Sequence, residues 1–326
     1  MIIDILNAII AIVLGVAGAV ALFWLLDWLV SRLPKATAEK VRPFVYVGPA
    51  LLLVTVYLIY PTLRTIYISF FDRLSVDFVG LDNYADLATD DSLLEVLFNN
   101  VLWIIVVPLA TVAIGLAVAV LADRLPSRVE ALSKSVIFMP MAISMVGAST
   151  IWSFVYAFTA ADGEIGLLNG IWVLFGGEET AWLQKSTLNL NDFLLMVILI
   201  WMQAGFSMVL LSAAIKNVPE ETLEAARIDG ASEWQAFRRV IVPQIRSTIV
   251  VILTTVTILT LKIFDIVYVT TRGAFGTDIV PNRFITELLQ NRNFGLAAVL
   301  VVLIIVATIP IMVINVRRLR EEEGIR

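Results

Sequence analysis

The sequence predicts an all-α, polytopic membrane protein with seven transmembrane helices. Three observations carry that expectation. Of 326 residues, 60% are apolar and only 16% are charged, against about 45–50% and about 25% in soluble domains. Seven apolar runs are each long enough to cross a hydrocarbon core about 30 Å thick, which takes roughly 20 helical residues. The runs are continuous rather than alternating, so helices, not barrel strands, must satisfy their backbone groups inside lipid.

The runs follow in order. The first, Ile5–Leu26, has no basic residue before it and no small-residue cleavage site after it, but Asp27, Trp28, Arg32 and Lys35. It therefore reads as a retained helix rather than a signal peptide. Phe44–Leu63, Val101–Ala122, Ser135–Phe158, Phe193–Ile215 and Phe294–Val316 carry no charge. The sixth run, Ser247–Thr271, is interrupted only by Lys262 and Asp265. Three apart in one helix, these two are expected to form a local pair, with a proton or ion relay as the less favoured alternative. Arg64, near the end of the second run, is expected to snorkel outward.

Basic residues set the orientation. Segments 31–43, 122–134, 216–246 and 317–326 hold sixteen Lys/Arg, and the opposite side holds six: Arg64, Arg73, Lys185, Arg272, Arg283 and Arg292. The positive-inside rule then puts the amino terminus outside and the carboxyl terminus in the cytoplasm. The outer segment 72–98 is acidic, with Asp72, Asp77, Asp82, Asp86, Asp90, Asp91 and Glu95. In segment 159–192, glycines including Gly163 flank the apolar stretch Ile165–Phe175, too short to span and read as an interfacial or externally packed helix. The tail run Glu321–Glu323 reads as solvated.

Composition also excludes function classes. A formal net charge of −5 offers no basic excess for nucleic acid. With no cysteine and no histidine there is no disulfide frame, thiolate nucleophile, histidine base or Cys/His metal site.

The longest polar interruption on the cytoplasmic side, residues 216–246, reads as two short helices joined by a glycine. Asn217 and Pro219 suit the start of the first, and Glu220, Glu221 and Glu224 favour its amino-terminal dipole. Gly230 ends it. Ser232 with Gln235 makes a capping-box pattern for the second helix. That helix carries Trp234, Phe237, Val240 and Ile241 on one stripe until Pro243 stops it. Such a projection suits a soluble partner, because Ala225 and Ala226 allow close approach. On the residues alone, an amphipathic connector lying on the membrane stays equally open.

The stretch from Glu224, Ala225 and Ala226 through Asp229 and Gly230 to Pro243 resembles the EAA signature of bacterial ABC-importer permeases. The family pattern is E-A-A, three residues, G, nine residues, then I-x-L-P. The spacing matches, with Val240 and Val242 where the pattern has Ile and Leu. Phe78–Tyr84, Tyr60–Thr62, Ser69–Phe70 and Phe264–Thr271 are similar to the carbohydrate-uptake branch, above all its larger maltose-type and alpha-glucoside permeases. The resemblance implies a six-helix ABC type I importer permease core over residues 41–326, preceded by an extra helix and linker over 1–40 with no role assigned beyond packing. It implies a membrane-spanning subunit, not itself an enzyme, that imports a sugar such as maltose, trehalose or sucrose across a bacterial or archaeal cytoplasmic membrane. The partners it implies are a second permease subunit, two ATPase subunits and an external solute-binding protein, for which the acidic outer surface is a candidate dock.

There is no G-x-x-x-x-G-K-[ST] run, so ATP and Mg would sit on the partner ATPase and no cofactor on this chain. Glu224, Ala225, Ala226 and Gly230, with Asp229 a weaker inclusion, are carried over as coupling residues. For the cargo path, the fifth run offers Trp201 through Ser207, and the sixth offers Thr254, Thr255, Thr257 and Thr260. A threonine in a span more often bonds back to its own helix, whereas the Gln203 amide needs a partner at that depth. The resemblance places sugar contacts on Met202, Gln203, Phe206, Val256, Leu259 and Thr260. Two other classes fare worse. An ion-coupled secondary carrier would need intramembrane carboxylates and an inverted repeat, and an integral-membrane enzyme would need a catalytic constellation at one depth. Another solute carried by the same family remains the nearer alternative.

Overall fold

The computed structural model describes residues 2–159 and 164–324; Gly163 and the side chains of Glu321, Glu322 and Glu323 lie outside the described residues. It divides into two compact units, Met1–Tyr67 and Ile68–Arg326.

The first unit is a pair of long helices. α1 spans Ile2–Ser31. α2 spans Lys35–Ile68, starting directly behind Pro34, whose φ of −54° suits a helix entry. The Tyr46 hydroxyl of α2 donates to Asp27 Oδ1 of α1 at 2.6 Å, and Arg42 pairs with the same oxygen at 3.3 Å. Phe23 stacks on Tyr46 beside them, centroids 6.2 Å apart. Within α2 the turn Thr55–Ile59 widens to a π-turn. That turn contains Tyr57, the residue four before Pro61, where a proline ring otherwise collides with the carbonyl.

The second unit holds α3 (Asp82–Thr89), α4 (Asp91–Ala122), α5 (Ser127–Phe138), α6 (Met145–Val155), a two-residue antiparallel ribbon of β1 (Phe158–Thr159) with β2 (Glu164–Ile165), and α7 (Leu167–Leu174). Then come α8 (Leu190–Lys216), α9 (Glu220–Ile228), α10 (Glu233–Gln244), α11 (Arg246–Leu261), α12 (Asp265–Thr270), α13 (Val280–Ile285) and α14 (Phe294–Gly324). The short apolar stretch after residue 164 is helical, as α7.

α8 is the buried axis. Leu195, Met196, Ile198, Leu199, Met208 and Leu211 are all fully enclosed. Its neighbours approach closely because small residues let them. A Cβ on Gly205 would lie 2.7 Å from Phe138 Cα, so α5 passes directly over α8 at that point. Gly115 of α4 meets Ser207 and Met208 in the same way on another side. Without a hydrophobic drive inside lipid, such contacts hold helices together by dispersion.

Among the described residues, five helices are long and apolar enough to cross a membrane, and counting each of two bent pairs as one span raises the number to seven. The first bent pair corrects the expectation of a straight span. In place of a continuous Ser135–Phe158 helix, α5 runs into a 3-10 turn over Met139–Ala142, Ile143 is extended, and α6 departs at 103°. Pro140 opens that turn and the Ser144 hydroxyl caps α6 by accepting from Gly147 N. The sixth run, Ser247–Thr271, breaks once within its bounds, and the bend against α10 lies before it. α10 meets α11 at 67°, and α11 ends at Leu261, with Lys262 and Phe264 outside helical geometry before α12 begins. Lys262 and Asp265 therefore do not share a helix, and they form no ion pair among the described residues. Asp265 instead opens α12, where a carboxylate suits the helix dipole.

Candidate functional site

The polar segment between α8 and α11 folds as paired helices with two changes of detail. Asn217 closes α8 rather than opening α9, whose amino-terminal cap is Pro219. Pro243 does not stop the second helix. The turn Phe237–Ile241 widens to a π-turn around Arg239, four residues before Pro243, and the helix continues to Gln244. This is the device already seen before Pro61. The capping box forms as expected: Gln235 N donates to Ser232 Oγ at 3.3 Å, and Ser232 N donates to Gln235 Oε1 at 2.8 Å. Gly230 has φ +82°, and a Cβ there would meet nothing. Its backbone conformation, not crowding, is what calls for glycine.

Glu224, Ala225, Asp229 and Gly230 are exposed and Ala226 is half-buried, so all five lie on the projection. Ile228 at its tip is 86% exposed, and Trp234 is 67% exposed, stacked on Phe237 at 5.6 Å. Behind them, an apolar groove of about 830 Å³ runs between the end of α4 and the two short helices, bounded by Leu116, Val120, Ile215, Leu223 and Ile241.

Beneath the projection lies an ionic cluster that the sequence reading missed. Lys134 Nζ lies 2.6 Å from Asp123 Oδ1 and 2.5 Å from Glu130 Oε1. It also donates to Ser212 Oγ, and Ser212 Oγ donates to Asp123 Oδ1 at 2.7 Å. Lys216 pairs with Glu130. The cluster joins the ends of α4 and α8 to α5 directly before the projection leaves the core. Only Glu130 and Lys134, four apart on one helix, signal it in the sequence.

About 20 Å up α8 from Lys216, at 1.5 Å per residue, lie the residues expected to face cargo. Met202 and Val256 are buried in one apolar cluster, with Phe206 and Leu259 packed against it. Gln203 is 6% exposed and Thr260 2%. The Thr260 hydroxyl donates to Val256 O at 2.8 Å, and Thr254, Thr255 and Thr257 likewise bond back to their own helix. Gln203 differs, because its amide has no hydrogen-bond partner among the described residues.

At the far end of α8, buried asparagines hold the connections. Asn99 Nδ2 donates to Gly276 O (2.7 Å) and Asp278 O (3.0 Å), and Asn191 Nδ2 to Phe275 O (2.8 Å). Asn83, within the Phe78–Tyr84 stretch, donates to Ser69 O and Phe71 O. The Tyr84 hydroxyl lies 2.7 Å from Ser69 Oγ. That stretch thus clamps the turn following α2. Part of the acidic outer segment is likewise engaged by backbone: Asp72 Oδ1 accepts from Val76 N and Asp77 N, and Asp90 caps α4 by accepting from Ser92 N.

Residues 97–320 match the family described as the binding-protein-dependent transport system inner membrane component. The chain belongs to that family. This inner membrane component is 48% identical over 282 residues to the osmoprotective compounds uptake permease protein GgtC of Synechocystis sp., covering 86% of this chain and all of that one. It is 43% identical over 336 residues to the alpha-glucoside transport system permease protein AglF of Rhizobium meliloti, covering 98% and 99%. Its fold is similar to a chain of a bacterial alginate ABC transporter solved in complex with an alginate pentasaccharide-bound periplasmic protein. The TM-score is 0.73 at 18% identity, over 87% of this chain and 95% of that one.

Proposed function

We propose that the protein is the membrane-spanning permease subunit of an ATP-driven importer for a small glycoside, with an alpha-glucoside such as maltose, trehalose or sucrose as its cargo. The observation that carries this reading is the exposed two-helix projection at residues 216–246, which follows the EAA pattern and is anchored to α4, α5 and α8 by the Lys134 cluster. Glu224, Ala225, Ala226, Asp229 and Gly230 form the surface that a cytoplasmic ATPase grips. The chain works with a second permease, two ATPase subunits that hold ATP and Mg, and an external solute-binding protein. Its amino terminus lies outside and its carboxyl terminus in the cytoplasm. When the ATPase pair closes, the gripped loops move together, and the close-packed helices re-pack as rigid bodies from inward-open to outward-open.

Gln203, Met202, Phe206, Val256, Leu259 and Thr260 supply the cargo contacts. The Gln203 amide makes no hydrogen bond among the described residues and its atoms are not fully enclosed, so it is free to bond a sugar hydroxyl. The likeness to AglF favours an alpha-glucoside. The likeness to GgtC favours a second reading in the same class, an osmoprotective solute. The test is ATP hydrolysis by the complex of this chain with its partner subunits, measured in proteoliposomes with the cognate binding protein. Stimulation by one sugar of a panel of maltose, trehalose and sucrose supports the reading. Failure of an ATPase to co-purify with the chain removes it.

A further inference from the structure

We propose that the pocket bounded by Ser153, Trp182, Gln184, Thr270 and Phe275 is a second carbohydrate subsite, which holds one pyranose ring. This rests on the sugar reading above. The pocket has a volume of about 260 Å³, below the roughly 300–1,000 Å³ of sites for drug-sized ligands. It suits a single ring rather than an oligosaccharide.

Its lining matches the chemistry of a pyranose, which has apolar C–H faces and a belt of hydroxyls. Trp182 provides a fixed indole ring, with Lys185 Nζ 5.9 Å from its centroid. Its Nε1 donates to buried Asn169 Oδ1 at 2.8 Å, and Trp172 meets it edge-on at 5.8 Å. The Gln184 side chain is exposed and its amide has no partner among the described residues. The Ser153 and Thr270 hydroxyls donate to Ser149 O and Ile266 O within their own helices, which leaves their lone pairs to accept from a ligand.

Phe275 is held at the pocket by force of its surroundings. Its φ is +60°, an outlier for a bulky side chain that persists only where neighbours over-determine it. The neighbours are Asn191, which binds the Phe275 carbonyl, and Asn99, which binds those of Gly276 and Asp278. Asn99 and Asn191 belong to different helices and are 0% and 1% exposed. The ring they present is 49% exposed.

A row of aromatic contacts leads inward from the pocket. Tyr156 lines it; the Tyr156 ring lies 5.3 Å from Trp152, and Trp152 lies 5.7 Å from Trp201. Trp201 lies on α8, two residues before Gln203 and about 200° round the helix from it. Trp152 and Trp201 are partly exposed, whereas Tyr156 is 4% exposed and its hydroxyl donates to Leu194 O.

The chain has no cysteine, so Gln184→Cys introduces its sole thiol. The complex reconstituted with its partner subunits is alkylated with and without maltose, trehalose or sucrose, and with mannitol as an acyclic control. The sugar that this complex imports is expected to slow alkylation roughly fivefold when present at about four times its Kd for the subsite, because protection scales as one plus the ratio of ligand to Kd. Mannitol is expected to have no effect. Adding Phe275→Asn, which tolerates the backbone conformation but removes the ring, should abolish the slowing. Unslowed alkylation in a complex that imports the sugar overturns the subsite, as does equal slowing by mannitol. A complex that imports none of the three overturns the cargo reading as well, and is told apart because uptake itself is missing.

Discussion

Lys134 Nζ lies 2.6 Å from Asp123 Oδ1, with the two side chains only 18% and 14% exposed. This ion pair ties α5 to the end of α4, and Glu130, Ser212 and Lys216 complete it. Lys134→Met leaves Asp123 and Glu130 facing only Lys216, which is half exposed. A partly buried pair broken on one side is expected to cost about 1–3 kcal/mol. Arg42→Met, in the exposed pair with Asp27, is expected to shift unfolding less, because solvent screens an exposed pair. Thermal unfolding of both variants in detergent checks this, and equal shifts would contradict it.

Gly205 is expected to tolerate no side chain. Its Cβ would lie 2.7 Å from Phe138 Cα, backbone that can move only if α5 moves. Gly205→Ala should cost about 1–3 kcal/mol through overpacking. Gly15→Ala, where a Cβ meets nothing, should be neutral or stabilising by up to about 1 kcal/mol on helix propensity. Folded yield and melting temperature of the two variants measure the contrast.

At Gly230 the order of substitutions distinguishes conformation from crowding. With φ +82° and open space around it, Gly230→Asn should retain most transport, because asparagine enters the left-handed region more readily than other side chains. Gly230→Ala should lose about 1 kcal/mol of loop stability, and Gly230→Pro should abolish transport while membrane insertion persists. Uptake by cells expressing each variant gives the ranking. Normal uptake by the proline variant would exclude the coupling role.

The turn after α2 should depend on pH through Asp72. Val76 N–H first, and other backbone amides with it, hold this carboxyl below its ordinary value of 3.8. A lowered folded pKa adds stability that is fully present above the ordinary value and is lost as pH falls through the lowered one. The protection factor of the Val76 amide, which is its exchange rate relative to the intrinsic rate at the same pH, should therefore stay constant above about pH 4 and fall only below it. Asp72→Asn, which keeps the acceptor oxygen without titrating, should remove that pH dependence.

Periodicity and charge made much of this chain legible. Span number follows from run length, and the capping box at Ser232 and Gln235 is a local pattern that the backbone adopts as written. The two helices around Gly230 were readable for the same reason, since glycine acts within one turn of chain. The failures share a cause. Continuous apolar sequence conceals a bend, so the 103° break after Pro140 and the end of α11 at Leu261 were read as straight helix, and Lys262 was paired with Asp265 on a helix they do not share. Hydropathy measures affinity for lipid and says little about backbone direction.

Run length and local pattern along the chain suffice to read a membrane protein with up to seven spans and a polar loop of EAA pattern. Those properties depend on composition and on neighbours within a few residues. The tertiary structure alone decided which distant groups meet. Asp123 with Ser212, Asn99 with Gly276, Asn191 with Phe275 and Gly205 with Phe138 are brought together by the packing of α8 against its neighbours. Contacts between residues so far apart depend on how whole helices cross, which no local pattern encodes.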